Sequence, residues 1–145
     1  MATINFNVGT NTAVLGSELN SLATATDSSA GTEYNNTPSG SSAGFTNAVA
    51  ELVIDFTTSA TAGTAAYLYE ITAPDGTNYA DANSTSARLV AVFPLRNIST
   101  AQRPAPRIID LPPCKIKYLL RTDASATTES SGNTVKILPF NFASN

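Results

Sequence analysis

The sequence predicts an all-β protein: a single antiparallel β-sandwich or jelly roll, with a long polar arm or loop near its N-terminus. Three observations carry this. About seven or eight short segments alternate apolar and polar residues with the period of two that sends successive side chains to opposite faces of a strand. Clusters of Gly, Pro, Asn, Asp and Ser separate them, as turns require. Prolines at 94, 104, 106, 112, 113 and 139 suit strand ends, edges and crossovers and are incompatible with helix interiors. At 145 residues the chain matches one domain with its own core.

In chain order, residues 2–8 place Ile4, Phe6 and Val8 on one face, which reads as a half-buried strand ending at Gly9. Leu15, Leu19 and Leu22 then fall at the spacing of a helical turn or two, with Ser17 as its N-cap. Residues 16–46 are dominated by Ser, Thr, Ala, Gly and Asn, too polar for a core element, and read as an extended arm or a large surface loop. The strand-rich core is expected over 47–142. Ala50, Leu52, Ile54 and Phe56 oppose Glu51 and Asp55; Ala65, Tyr67, Tyr69 and Ile71 form an apolar face against Ala66, Leu68 and Glu70. Pro74-Asp75-Gly76-Thr77-Asn78 has turn chemistry. Further strands are expected from Arg88 to Phe93, ended by Pro94, from Arg107 to Leu111, and from Cys114 to Arg121, where Cys114, Ile116, Tyr118 and Leu120 share a face. The last runs from Thr134 to Phe142, where Val135 and Ile137 oppose Lys136, Leu138, Phe140 and Phe142. No repeat of 20–50 residues suggests a solenoid or propeller.

Composition narrows the function by exclusion. Charged residues make up 13%, and there is no His, no Trp and one Cys. Triads and zinc sites draw on imidazole or clustered thiolates, so no catalytic residue, metal or cofactor is expected. Cys114 shares its strand face with Ile116 and Tyr118 and reads as a small buried hydrophobe. Glu51 with Asp55 reads as a solvated strand face rather than a glycosidase-type pair. Asp75 and Asp81, with Asn78 and Asn83, flank a turn and lack EF-hand spacing for calcium. A net charge of -3 gives no excess cation for nucleic acid. No apolar run approaches a membrane span, and Met1–Asn5 has no signal-peptide character; the expectation is synthesis in a cytoplasm. The charge is unevenly written along the chain. Residues 1–87 hold eight acids and no Lys or Arg, whereas 88–145 hold all eight basic residues and three acids. Either strands of the two halves interleave and the charges mix, or a one-signed patch steers a partner.

Asp75-Gly76-Thr77-Asn78-Tyr79-Ala80-Asp81, Val92-Phe93-Pro94-Leu95-Arg96, Thr100-Ala101-Gln102-Arg103, Leu111-Pro112-Pro113-Cys114-Lys115-Ile116-Lys117 and Ser131-Gly132-Asn133-Thr134, running on to Pro139-Phe140-Asn141, together resemble small virion structural proteins of tailed bacteriophages. Upstream, Gly16-Ser17-Glu18-Leu19-Asn20-Ser21-Leu22 and Glu51-Leu52-Val53 fit the same pattern. Cys114 departs from it, standing where Gly is expected after two prolines. The resemblance implies a non-catalytic capsid decoration, or cement, protein on the exterior of the virion head. Its partners would be the major capsid protein and copies of itself as a dimer or trimer. Arg96, Arg103, Arg107, Lys115 and Lys117, with the polar segment 16–46, are the expected contact residues. A tail or fibre component, or a carbohydrate-binding sandwich that stacks a glycan on an exposed Tyr such as Tyr79, are the competing expectations.

Overall fold

The computed structural model describes residues 4–39 and 44–144. These form two antiparallel sheets packed face to face. Strands β1 (Ile4–Val8), β2 (Thr12–Leu15), β3 (Tyr34–Asn35), β4 (Asn47–Val53), β5 (Ala65–Ala73), β6 (Arg88–Pro94), β7 (Arg107–Asp110), β8 (Lys115–Thr122) and β9 (Thr134–Ser144) follow one another, with a 3-10 turn at Ser17–Leu19 after β2. The first sheet has the order β1-β9-β4-β7, with β2 also paired to β9; the second has the order β3-β8-β5-β6.

Period-two patterning produces the core. Ala48, Ala50 and Leu52 of β4 and Val135 and Ile137 of β9 point inward, against Ala66 and Leu68 of β5, Phe93 of β6, and Ile116, Tyr118 and Leu120 of β8. Small residues (Ala48, Ala50, Ala66, Ala91) lie among large ones (Phe56, Phe93, Tyr118), which lets two sheets interdigitate at a spacing of ~10 Å. The face expected for β5 is reversed. Ala66, Leu68 and Glu70 are the inward set, while Tyr67 and Tyr69 are half-buried on the outer side. Both alternate faces of Ala-Ala-Tyr-Leu-Tyr-Glu carry apolar residues, so period alone does not choose between them, and packing against β8 decides.

Of the two forms expected for 16–46, the described part takes that of a surface loop laid on the sandwich. Leu19 and Leu22 are buried. Beside them the Thr128 hydroxyl donates to Leu19 O (2.5 Å) and accepts from Leu22 N–H (2.8 Å). Ser28 exchanges bonds with Leu120, its N–H to Leu120 O and its Oγ from Leu120 N–H. Asn36 donates to Phe45 O and Pro112 O and accepts from Phe45 N–H. The N-cap of the turn is Gly16 in place of the expected Ser17, and its N–H donates to Glu18 Oε2 at 2.8 Å. The uncharged polar composition thus has a structural use. Ser28, Asn36, Gln102, Thr122, Thr128 and Asn133 are buried and satisfy loop backbone that would otherwise be orphaned.

The two halves of the sequence interleave: β4 lies between β7 and β9, and β5 between β6 and β8. The four ion pairs among the described residues, Arg88–Glu70, Arg103–Glu51, Lys115–Glu33 and Arg121–Asp27, each join an acid of residues 1–87 to a base of 88–145. The sequence asymmetry becomes charge mixing.

Candidate docking surface

The outer faces of the two sheets differ. Over β8 and β5 of the second sheet, the segment 74–87 folds back: Ala80 N–H donates to Thr72 O, Ser84 N–H to Asp27 Oδ2 (2.8 Å), and the Tyr79 hydroxyl to Glu33 Oε2 (2.5 Å). The Asp75-Gly76 turn opens this segment as expected. Gly76 takes φ +76, and Asp75 accepts from the N–H groups of Asn78 and Thr77, which hold its carboxyl down to about 2. Ile71 and Leu119, on the outer side of these strands, are buried. Leu89 and Val92 stay exposed on the neighbouring β6.

Nothing among the described residues covers the first sheet in this way. Phe6 is 66% exposed, Val8 54%, Phe142 62% and Ile108 70%. In place of the half-buried strand expected at 2–8, of which residues 2 and 3 lie outside the described ones, β1 pairs among the described residues with β9 alone and leaves Phe6 and Val8 exposed. β4 leaves β9 at Asn47↔Phe140, so among the described residues Asn141–Ser144 pairs along its backbone with β1 alone and the two form a ribbon that runs past the end of β4. On the ribbon, the Phe6 and Phe142 rings lie 5.1 Å apart and those of Phe140 and Phe142 5.6 Å apart, edge-on. Phe6, Val8, Val49, Leu138 and Phe140 line a shallow depression of about 260 Å³ with a wholly apolar surface. Ile108 extends this face through its register partner Val49. Glu51 and Lys136, directly opposed on β4 and β9, form a polar rim. The exposed part of the four side chains named above is on the order of 400 Å², at the size where an exposed apolar patch on a monomer is often functional. The alternation of Leu138, Phe140 and Phe142 could have signalled this face; what hid it was the absence of any sequence mark for which sheet lacks a cover.

The structure divides the five expected contact residues. Arg96, Arg103 and Arg107 converge on a cleft of about 300 Å³ with Pro94, Gln102 and Pro104. Gln102 builds it: buried, it accepts from Arg96 N–H (2.7 Å) and donates to Arg96 O (2.9 Å), while its own backbone bonds Ile54 in both directions. Arg107 Nε donates to Val92 O and Arg103 reaches Glu51 at 3.2 Å. Lys115 and Lys117 lie elsewhere, on β8. Lys115 pairs with Glu33 at 3.3 Å, and the Lys117 ammonium sits 4.7 Å from the centroid of the Tyr79 ring. That ring is half-buried, so Tyr79 is already engaged on both its hydroxyl and its face.

The reversed face of β5 also buries a carboxylate. Glu70 is 3% exposed in its side chain and meets Arg88 at 2.7 Å. Among the described residues, its Oε2 and the hydroxyl of Tyr118, its register partner on β8, lack hydrogen-bond partners. Burial pushes the Glu70 carboxyl above its ordinary range, outweighing the lowering by Arg88, with Asp110 adding to the rise. The site opens into a cavity of about 460 Å³ bounded by Thr72, Ser86, Arg88 and Asp110. Cys114 is buried, and burial raises its thiol above the ordinary value. Glu51 and Asp55 share the outward side of their segment and are both half-buried, Glu51 beside Arg103 and Asp55 accepting from Phe56 N–H. Among the described residues no helix is long and apolar enough to cross a membrane.

No protein-family model matches the chain, and no curated protein does. Among solved structures, the core of a Drosophila NLP, described with pentamer formation and histone binding, aligns over 99% of this chain and 98% of its own at 11% identity and a TM-score of 0.33, too low to inform the function.

Proposed function

We propose that the protein is a non-catalytic capsid decoration protein of a tailed bacteriophage, held on the outside of the head by contact with the major capsid protein. The observation that carries this reading is the uncovered apolar outer face of the first sheet, Phe6, Val8, Leu138, Phe140, Phe142 and Ile108. A buried contact of this kind gains hydrophobic energy and desolvates no charge on this side. The arginine cleft complements it, because Arg96, Arg103 and Arg107, which line one cleft beside the segment fastened by Gln102, match carboxylates on a partner surface. In this account the virion is the site of action, and self-association brings several copies to one symmetry position of the shell.

The test is occupancy on purified heads that lack the protein. Ile108→Asp and Phe142→Asp place a charge on the face at positions exposed enough to leave the fold intact. Each is expected to reduce occupancy at least tenfold with an unchanged circular dichroism spectrum. Full occupancy by both variants would overturn the assignment of this face to the shell.

A further inference from the structure

We propose that β1 is a dimerisation edge, pairing antiparallel with β1 of a second copy about a two-fold axis through Phe6. The inference stands on strand geometry and does not depend on the capsid reading. Gly9 N–H donates to Pro139 O at 2.8 Å. Alternate residues of an antiparallel strand turn their backbone groups to the same side, so Asn5 and Asn7 face β9 and Ile4, Phe6 and Val8 turn their N–H and C=O groups away from it. The close ring pair of Phe6 and Phe142, which are register partners, is what a non-hydrogen-bonded position gives.

Among the described residues, the outward edge has none of the features that keep edges apart. Ile4-Asn5-Phe6-Asn7-Val8 contains no Lys, no Pro and no charge, and its register with β9 runs without a bulge from Ile4↔Ser144 to Val8↔Phe140. Its sequence is a near-palindrome. A two-fold axis through Phe6 sets Phe6 against Phe6, Ile4 against Val8 and Asn5 against Asn7, like against like. The same axis makes Phe6 a hydrogen-bonded pair and so uses every outward group, about six N–H···O=C bonds in all. A second copy is therefore the occupant this edge fits: the interface is isologous and self-complementary. Because the axis is perpendicular to the sheet, both copies turn the Phe6 face to the same side. The dimer presents one continuous sheet with the apolar face doubled. Two five-residue edges bury less than a standard interface, which places the dimer in the weak class, with dissociation expected at roughly 1–100 µM.

Sedimentation of the full chain up to about 200 µM tests this, together with disulfide trapping. The native chain is expected to shift reversibly from monomer to dimer. Phe6→Lys, at an exposed position, is expected to remain monomeric with an unchanged circular dichroism spectrum, and Ile108→Asp, away from the edge, to dimerise as the native chain does. Phe6→Cys is expected to cross-link to itself on mild oxidation, since opposed residues of a hydrogen-bonded pair lie ~5.5 Å apart between Cα atoms, within disulfide range. Asn7→Cys, which faces Asn5 of the second copy, is expected to cross-link at least tenfold less. A native chain monomeric at all concentrations, a Phe6→Lys dimer, or equal cross-linking of the two cysteine variants would each overturn the proposal. None of these outcomes depends on whether the protein binds a head.

Discussion

Removing Arg88 leaves the Glu70 carboxylate, 3% exposed and paired at 2.7 Å, without its cation. Losing one partner of a buried pair costs ~3–5 kcal/mol, mostly as the penalty of the charge left behind. Arg88 is itself 53% exposed and the site opens to solvent, so the lower end applies, about 3 kcal/mol for Arg88→Ala at pH 8. The cost depends on pH. The native carboxyl titrates above its unfolded value of 4.5, so the folded state binds the proton more tightly and stability falls as pH rises through that window. Without Arg88 the window widens upward. At pH 4, where both states are protonated, the cost of the substitution should shrink to about 1 kcal/mol, the loss of a hydrogen bond and some packing. Glu70→Gln removes the charge and adds a donor beside the unpartnered Tyr118 hydroxyl, so in the Arg88→Ala background it should restore most of the loss at pH 8. Urea unfolding followed by circular dichroism reads this as a midpoint shift of about 2 M for Arg88→Ala at pH 8, taking a slope of ~1.5 kcal/mol/M. An equal cost at pH 4 and pH 8, or a double variant no more stable than Arg88→Ala, would refute the reasoning.

Gly31→Ala should destabilise by about 2 kcal/mol or more, because a Cβ there would meet Val14 O at 2.0 Å and backbone must move; thermal unfolding checks it. Thr128→Val keeps the shape but strands Leu22 N–H and Leu19 O in a buried place, an expected cost of about 1–3 kcal/mol measurable by the same unfolding. Neutralising Arg96, Arg103 and Arg107 together should weaken head binding and flatten its salt dependence. Neutralising Lys115 and Lys117, engaged with Glu33 and Tyr79, should change binding less than threefold, and titration of occupancy against salt separates the two.

Where one face of a strand was purely apolar, the sequence specified both the strand and its orientation, as in β4 and β8. The Asp75-Gly76 turn was equally legible, since its conformation depends on local residues. β5 was not, because both its faces carry apolar residues and the tyrosines, being larger, suggested the wrong one; the inward Glu70 followed from that. The exposed face of the first sheet was visible as alternation in β1 and β9, but β1 read as half-buried and β9 carried no mark of which face turns inward, since nothing local shows which sheet lacks a second layer. The arginine cleft depends on residues 94–107 folding around Gln102, a buried side chain with no distinguishing pattern. The polar composition gave the long loop but not its use, because a Ser or Asn that fastens buried backbone looks in sequence like one facing water.

A cryo-electron density map of the intact particle tests the central claim most directly. Density for this sandwich is expected on the outside of the head, with Leu138, Phe140, Phe142 and Ile108 against the major capsid protein and Tyr67 and Tyr69 of the second sheet turned away. Density on the head with that apolar face open to solvent, or no density on the head at all, would contradict it.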